Sequence, residues 1–267
     1  MSTNILAKIV AQKFVEVAER KKQISIGELE AMPLFTKAGY SLKSNLVDPN
    51  KTGIIAEFKR QSPSKGIINN TALVHDVTKA YSDFGASGIS VLTDTHFFGG
   101  SLDDLTIAVK NTTPVLRKEF IIDEFQIIEA KAYGASVILL IASCLTPAET
   151  KLLAATAKQL EIEVLLEIHD ETEMEHICDE VDFVGVNNRS LKSFEVNIEH
   201  SLQLRSRLPK NKLSIAESGI YDLATFQLLK KEGFDGFLMG EYFMKQADPA
   251  KAFELFASQI KSSGHAI

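Results

Sequence analysis

The sequence predicts an α/β protein, a (β/α)8 TIM barrel over residues 54–260 preceded by an N-terminal helical extension over residues 1–50, the whole forming one domain, 1–267. Three observations lead there. From residue 54 apolar strand-like runs alternate with helix-like stretches, eight of each, at a spacing of about 25 residues. The runs are continuously apolar, as parallel strands covered by helices are. Polar residues collect at the C-terminal ends of the runs, the rim at which such barrels carry their sites. An open doubly wound sheet is the competing topology.

The strand-like runs are IIAEF (54–58), GISVLT (88–93), PVLRKEF (114–120), SVILLI (136–141), VLLEIH (164–169), FVGVNN (183–188), LSIAES (213–218) and GFLMG (236–240). Helices are expected at 71–84, 102–110, 124–133, 147–160, 171–179, 198–207, 221–232 and 249–260. Thr146-Pro147 and Asp248-Pro249 are helix-start signals, and Gly85, Gly134 and Gly233 end helices just before strands. Ahead of the first strand, Ile5, Ile9, Val10, Phe14 and Val17 lie three or four apart, which predicts an amphipathic helix with that apolar face. Residues 21–50 are mixed, with a short helix at 27–32 and a loop at 48–53.

Composition narrows the function. The chain has 267 residues, 45% hydrophobic and 24% charged, enough for a sizeable core. A net charge of −6 argues against a nucleic-acid surface, so an anionic substrate must be met by local positive charge. Cys144 and Cys178 show no zinc or disulfide spacing and read as neutral thiols of a reducing compartment. The N-terminus lacks the character of a signal peptide, and no run approaches the roughly 18 apolar residues of a membrane span. A cytoplasmic protein without membrane or nucleic-acid partners is expected, a monomer being favoured over an oligomer. His96, His169 and His176 lack metal-ligand spacing and read as surface or supporting residues, and no metal is expected. No GxGxxG or Walker loop supports a nucleotide cofactor, so no cofactor is expected.

The candidate site is the strand-end rim. Strand 1 ends with Glu57 and Lys59, two residues apart on one face, and continues into a Ser62-Pro63-Ser64-Lys65-Gly66 loop. Lys118, Glu167, Asn187 and Glu217 fall at similar depth on strands 3, 5, 6 and 7. Burying so many acids and lysines together is costly without a purpose, although any one of them alone could be a solvated rim charge. Phe97, Phe98 and Phe120 near the same mouth could be core or could hold an aromatic ring. Ser218-Gly219 after strand 7 and Gly240-Glu241 after strand 8 stand where barrels often bind phosphate through backbone N–H groups.

IAEFKRQSPSKG closely resembles the signature of the indole-3-glycerol-phosphate synthase family. LRKEF, LLEIHD, GVNNR, AESGI and FLMGEYFM resemble that family's later strand segments in order, and the N-terminal helix resembles its extra helices. The resemblance covers nearly the whole chain. It implies a ring closure of tryptophan biosynthesis. The substrate is 1-(2-carboxyphenylamino)-1-deoxyribulose 5-phosphate, converted with loss of carbon dioxide and water and without cofactor. By resemblance Lys118 is the general acid, and Lys59 holds the substrate carboxylate and is a second candidate acid. Glu167 stabilises positive charge on nitrogen and accepts protons, while Glu57, Asn187 and Glu217 orient hydroxyls and lysines. Arg189 holds the carboxylate or the Asn187 loop. Ser62, Ser218, Gly219, Gly240 and Glu241 correspond to phosphate and neighbouring contacts, and Phe98 and Phe120 to contacts with the anthranilate ring. Which lysine acts in which step stays open.

Glu119 replaces the family's usual Asp, Tyr242 a small residue, and SLKSNLVDPNKTG departs from the family pattern. Three other readings remain. A phosphoribosylanthranilate isomerase would need an Asp/Cys pair at strand ends; Cys144 falls just beyond strand 4, with no strand-end Asp obvious. A Schiff-base aldolase could use Lys118. A barrel that only binds a sugar phosphate is disfavoured by Lys59, Lys118 and Glu167 occurring together.

Overall fold

The computed structural model describes residues 5–190 and 195–264. Strand alternation sorts each barrel strand between two apolar environments. In β1 (Ile54–Phe58), Ile54, Ala56 and Phe58 face the surrounding helices, while Ile55 joins a cluster inside the barrel. The next inward positions are Glu57 and then Lys59. The strand is greasy because both of its faces are covered, and charged at its far end because its last inward positions reach the mouth.

The same pattern repeats in β2 (Gly88–Leu92), β3 (Val115–Lys118), β4 (Val137–Ile141), β5 (Glu163–Ile168), β6 (Phe183–Asn187), β7 (Leu213–Glu217) and β8 (Gly236–Met239). All are parallel and neighbours in sequence order, and β8 pairs with β1 to close the barrel. The (β/α)8 expectation therefore holds, and the open sheet is excluded. Inside, Ile55, Leu116, Val137, Leu139, Leu165, Phe183 and Ile215 form the apolar lower part. Register places Asn187 opposite Glu217, and Ile141 opposite Glu167.

Outside pack α4 (Val74–Asp83), α6 (Leu102–Ala108), α7 (Glu124–Ala132), α8 (Pro147–Gln159), α9 (Ile198–Arg205), α10 (Leu223–Lys231) and α12 (Pro249–Ser262). Thr146 caps α8 with a full capping box and Asp248 caps α12, each with Pro inside the first turn. One expected helix differs. Residues 171–179 form only a 3-10 segment, Glu171–His176, started by Asp170 and ended by extended backbone at Ile177. The stretch is rich in acids, and of its residues only His176 is buried, bonded to Thr150.

The extension covers both ends of the barrel. α1 (Ile5–Gln23) crosses the C-terminal mouth; of the expected face Ile9 and Val17 are buried and Ile5 and Val10 half-buried, while Leu6 and Lys13 join the buried stripe and Phe14 does not. Phe14 is 62% exposed. Lys13 sets this rotation: its ammonium lies 2.6 Å from Asp94 and 3.2 Å from Glu119, both buried. A buried lysine with two carboxylates outweighs an exposed phenylalanine. α2 (Ile26–Glu30), near the expected 27–32, packs Leu29 with Val17 and Phe125.

α3 (Leu42–Val47), within the segment that sequence left undefined, closes the opposite end. Leu42 and Leu46, one turn apart, sit so close under the strands that a Cβ on Gly88 or Gly236 would fall 2.8 or 2.9 Å from them. Glu163, at the start of β5, accepts from the Ser41 hydroxyl and the Leu42 N–H, each at 2.6 Å, which fixes the first turn. Because this plug lies at the barrel end remote from the mouth, Leu46→Ala is expected to destabilise the fold by about 2–5 kcal/mol without lowering turnover. Urea unfolding and steady-state kinetics check it; an unchanged unfolding midpoint would contradict it.

Candidate active site

One cavity at the C-terminal mouth gathers every predicted site residue: Glu57, Lys59, Ser62, Phe98, Lys118, Phe120, Glu167, Asn187, Arg189, Glu217, Ser218, Gly219, Gly240 and Glu241. Its deepest polar layer is built from inward strand positions. Lys59 donates to Glu57 at 2.5 Å. Lys118 donates to Glu167 at 3.1 Å and to Glu217 at 2.9 Å. All three glutamates are at most 3% exposed.

Two glycines make room for these acids. A Cβ on Gly185 would fall 2.0 Å from Oε1 of Glu217, and one on Gly240 would fall 2.7 Å from Oε1 of Glu57. The carboxylates occupy space that any other residue there would fill.

Burial favours the neutral amine at Lys118, but Glu167, Glu217 and Glu57 outweigh it and hold the lysine charged well above its ordinary range. Burial also pushes both acids up. At Glu167 the charges of Lys118 and His169 and the amide of Asn187 reverse that and bring it to about 2. At Glu217 burial dominates; Lys118 offsets part of it, the charge of Glu167 adds to it, and the group ends at about 7. One lysine between two carboxylates thus keeps one of them ionised and leaves the other titrating near physiological pH.

Toward the rim the cavity divides. On one side Phe98 and Phe120 stand with ring centroids 5.9 Å apart, and Ile5, Leu6 and Ile9 of α1 complete the apolar wall. Phe98 is placed by α5 (Thr95–Phe98), a single turn whose amides are capped by Asp94. Phe97 instead pairs with His96 and does not line the cavity. On the other side lie the loops after β7 and β8. Ser218 has φ of 66°, rare for a non-glycine residue, and its carbonyl accepts from the Asn188 amide at 2.7 Å. Gly219 follows at φ 72°. Gly240 precedes the short α11 (Glu241–Met244). Arg189 donates to Glu241 at 3.0 Å and to Tyr221 at 2.8 Å, and Lys65 lies 3.7 Å from Glu241. The Glu241 carboxylate is therefore occupied by cations. Tyr242 packs on Phe243 and Phe256, with part of its surface on the cavity.

Some residues of the site escaped the sequence reading. Asp94 is a strand-end aspartate, yet it is taken by Lys13 and the cap of α5. Asn188 holds the Ser218 loop. Their signals were present as polar residues just past strand ends, but nothing local showed which way they turn. Arg60, close to Lys59 in sequence, leaves the cavity and forms a two-pronged ion pair with Asp104 at 2.6 and 2.8 Å. Glu119 faces Thr93 and Lys13. The Cys144 thiol is pushed up to about 12 by burial and then by Glu167 and Glu173, so it is no proton-transfer partner near neutrality. Among the described residues no group of three or more His, Cys, Asp or Glu side chains could hold a metal ion, and no helix is long and apolar enough to cross a membrane.

The raised value of Glu217 carries a stability consequence. A carboxyl raised above its unfolded value of 4.5 contributes stability that is fully present below that pH and is lost as pH rises through about 7. Glu217→Gln keeps an acceptor for Lys118 and cannot ionise. It is expected to be more stable than wild type at pH 8 by about 1–3 kcal/mol and to lose that advantage at pH 5. Urea melts at the two pH values check it; an identical difference at both would contradict it.

Comparison with known proteins shows the family. The family model described as indole-3-glycerol phosphate synthase matches residues 6–256. A protein of that name from Bacteroides thetaiotaomicron is 42% identical over 259 residues, 97% of this chain and 99% of the relative. Another from Polynucleobacter asymbioticus is 40% identical, covering 96% and 100%. Among solved structures, the tryptophan synthase alpha subunit of Legionella pneumophila superposes with a TM-score of 0.62 at 13% identity, covering 85% of this chain and 98% of that one. A mandelate oxidase superposes with a TM-score of 0.59 at 15% identity, covering 82% and 74%. Those two likenesses show the barrel fold alone. The full-length matches to proteins of one name place this chain in the indole-3-glycerol phosphate synthase family.

Proposed function

We propose that Lys118, held between Glu167 and Glu217, is the general acid of the family's ring closure, in which 1-(2-carboxyphenylamino)-1-deoxyribulose 5-phosphate becomes indole-3-glycerol phosphate, carbon dioxide and water. The observation that carries this is the set of three lysine–carboxylate contacts, Lys118 with Glu167 and Glu217 and Lys59 with Glu57, on the floor of one cavity. A ring carbon attacks the ketone, and the ketone oxygen takes a proton from an ammonium group. Attack leaves positive charge on the anilino nitrogen, which an ionised Glu167 stabilises. Loss of carbon dioxide returns the bonding electrons to the ring. Departure of the hydroxyl as water needs a second proton, for which Lys59 is the second acid, and Glu167 accepts the proton released as the indole forms.

A tightly held ammonium is a poor acid. Glu217 answers this: when it takes up a proton its pull on Lys118 weakens, and the lysine gives up its own more readily. Phe98, Phe120 and the first turns of α1 suit the anthranilate ring. The phosphate fits the loops of Ser218-Gly219 and Gly240-Glu241 with Ser62, through backbone N–H groups. Arg189 steadies Glu241 and the Asn187 loop from that side, and Glu57 and Asn187 orient Lys59 and Glu167. The two free cysteines suit a reducing cytoplasm.

Lys118→Ala is expected to cut turnover at least about a hundredfold, with a smaller change in KM, since ring and phosphate contacts remain. Lys118→Arg should not restore the rate, because a guanidinium releases its proton far less readily. Lys79→Ala, on the outer face of α4 in an exposed pair with Asp83, should be neutral. Fluorescence of the indole product gives the rates. A Lys118→Ala enzyme keeping more than about half of wild-type turnover would transfer the acid role to Lys59.

A further inference from the structure

His169 follows Glu167 and Ile168 along β5, so alternation places it on the same side as Glu167, one step nearer the rim. Its Nε2 is buried without a hydrogen-bond partner among the described residues and stands 3.4 Å from Oε1 of Glu167, within ion-pair distance. Nδ1 faces away from the cavity, 3.4 Å from the Ser143 hydroxyl and 3.6 Å from Oε2 of Glu173. Ser143 also donates to Glu173, and Glu173 accepts from the His169 backbone N–H at 2.6 Å. Nε2 of His200 in α9 meets the His169 carbonyl at 3.0 Å. The ring is thus held by the 3-10 segments Ala142–Cys144 and Glu171–His176, and its backbone by α9.

Nothing in the contacts of Lys118 explains why its two carboxylates should differ, for the shorter distance is to Glu217. The asymmetry lies behind them. Glu167 accepts from the Asn187 amide and its second oxygen faces an imidazole, whereas the second oxygen of Glu217 is buried over Gly185 and has no partner among the described residues. We propose that His169 is a positioning residue which, as an imidazolium, keeps the negative charge of the pair on Glu167 and so makes Glu217 the carboxylate that takes up a proton. This rests on the reading of Lys118 and Glu167 as the catalytic pair.

The surroundings favour a charged ring. Burial pulls its pKa down, but Glu173, Glu167 and Glu217 raise it above the ordinary histidine value. Asp170, exposed in the same turn, adds negative charge. Cys144 stays a neutral thiol, and Lys118 stands on the far side of Glu167. His169 acts only through Glu167: it fixes which acid can stabilise positive charge on the substrate and which can release Lys118.

The test is a carboxyl-carbon NMR titration of the full chain with labelled glutamate, with the two signals assigned by Glu167→Gln and Glu217→Gln. His169→Gln retains an N–H donor but carries no charge. In that variant the Glu167 signal is expected to titrate at least about one pH unit higher than in wild type and the Glu217 signal lower. The acidic limb of kcat/KM should move with Glu167, and KM should change little. Unmoved carboxyl titrations would overturn the proposal even if turnover fell, since His169 would then be a packing group.

Should His169→Gln not fold, the reciprocal measurement decides. Linkage requires Glu167→Gln to lower the imidazole pKa of His169, and by more than Glu217→Gln does. Equal or absent shifts would overturn the assignment. These titrations are independent of turnover, so failure of the catalytic reading would show separately, as an active Lys118→Ala enzyme.

Discussion

Lys118 holds its ammonium group between two buried carboxylates, 3.1 Å from Glu167 and 2.9 Å from Glu217. No one of these three charges could be buried alone, because the desolvation of a lone ion outweighs what packing returns. Together they are tolerated only where three strands converge. The barrel supplies that convergence: β3, β5 and β7 each bring one inward position to the same depth, above an apolar lower layer. Glu57 and Lys59 of β1 add a second pair on the same floor. The fold serves the chemistry by making a charged layer affordable in a place from which water can be excluded.

The extension extends that logic to both ends. Below, Leu42 and Leu46 stop the barrel so that the apolar layer is not wetted from beneath. Above, α1 supplies apolar wall through Ile5, Leu6 and Ile9. It is pinned by Lys13 to Asp94 and Glu119, residues that themselves hold the Phe98 turn and follow Lys118. A second buried ammonium, outside the cavity, thereby sets where the ring-binding wall stands. Glu119 has a part in this as a buried partner of Lys13 and Thr93.

The barrel and the floor of its site were legible because both follow period-two alternation: a strand that reads IIAEFK has little choice about where Glu57 and Lys59 point. The rotation of α1 was not legible. Phe14 looks like core, and only the distant Asp94 and Glu119 make Lys13 the better residue to bury. α3 was missed because six residues show hardly more than one helical repeat, and its anchor, Glu163, lies more than a hundred positions away. His169 carries no local signal that tells a surface histidine from one beside the site, because its orientation depends on Glu173 and Ser143, carried by two other turns. Local pattern determined what faces inward; long-range charge pairing determined what each inward group does.

The central claim is that two carboxylates hold the Lys118 ammonium charged against burial. Nitrogen-detected NMR of lysine side chains in the ligand-free chain tests it most directly. The account predicts that the Lys118 signal still belongs to an ammonium at a pH where ordinary lysines, with pKa values of about 10.4, have lost half their protons. It also predicts that replacing Glu167 and Glu217 together by Gln drops Lys118 below that value, since burial is then opposed by Glu57 alone of the three carboxylates. A wild-type Lys118 that titrates below its ordinary value would contradict the account.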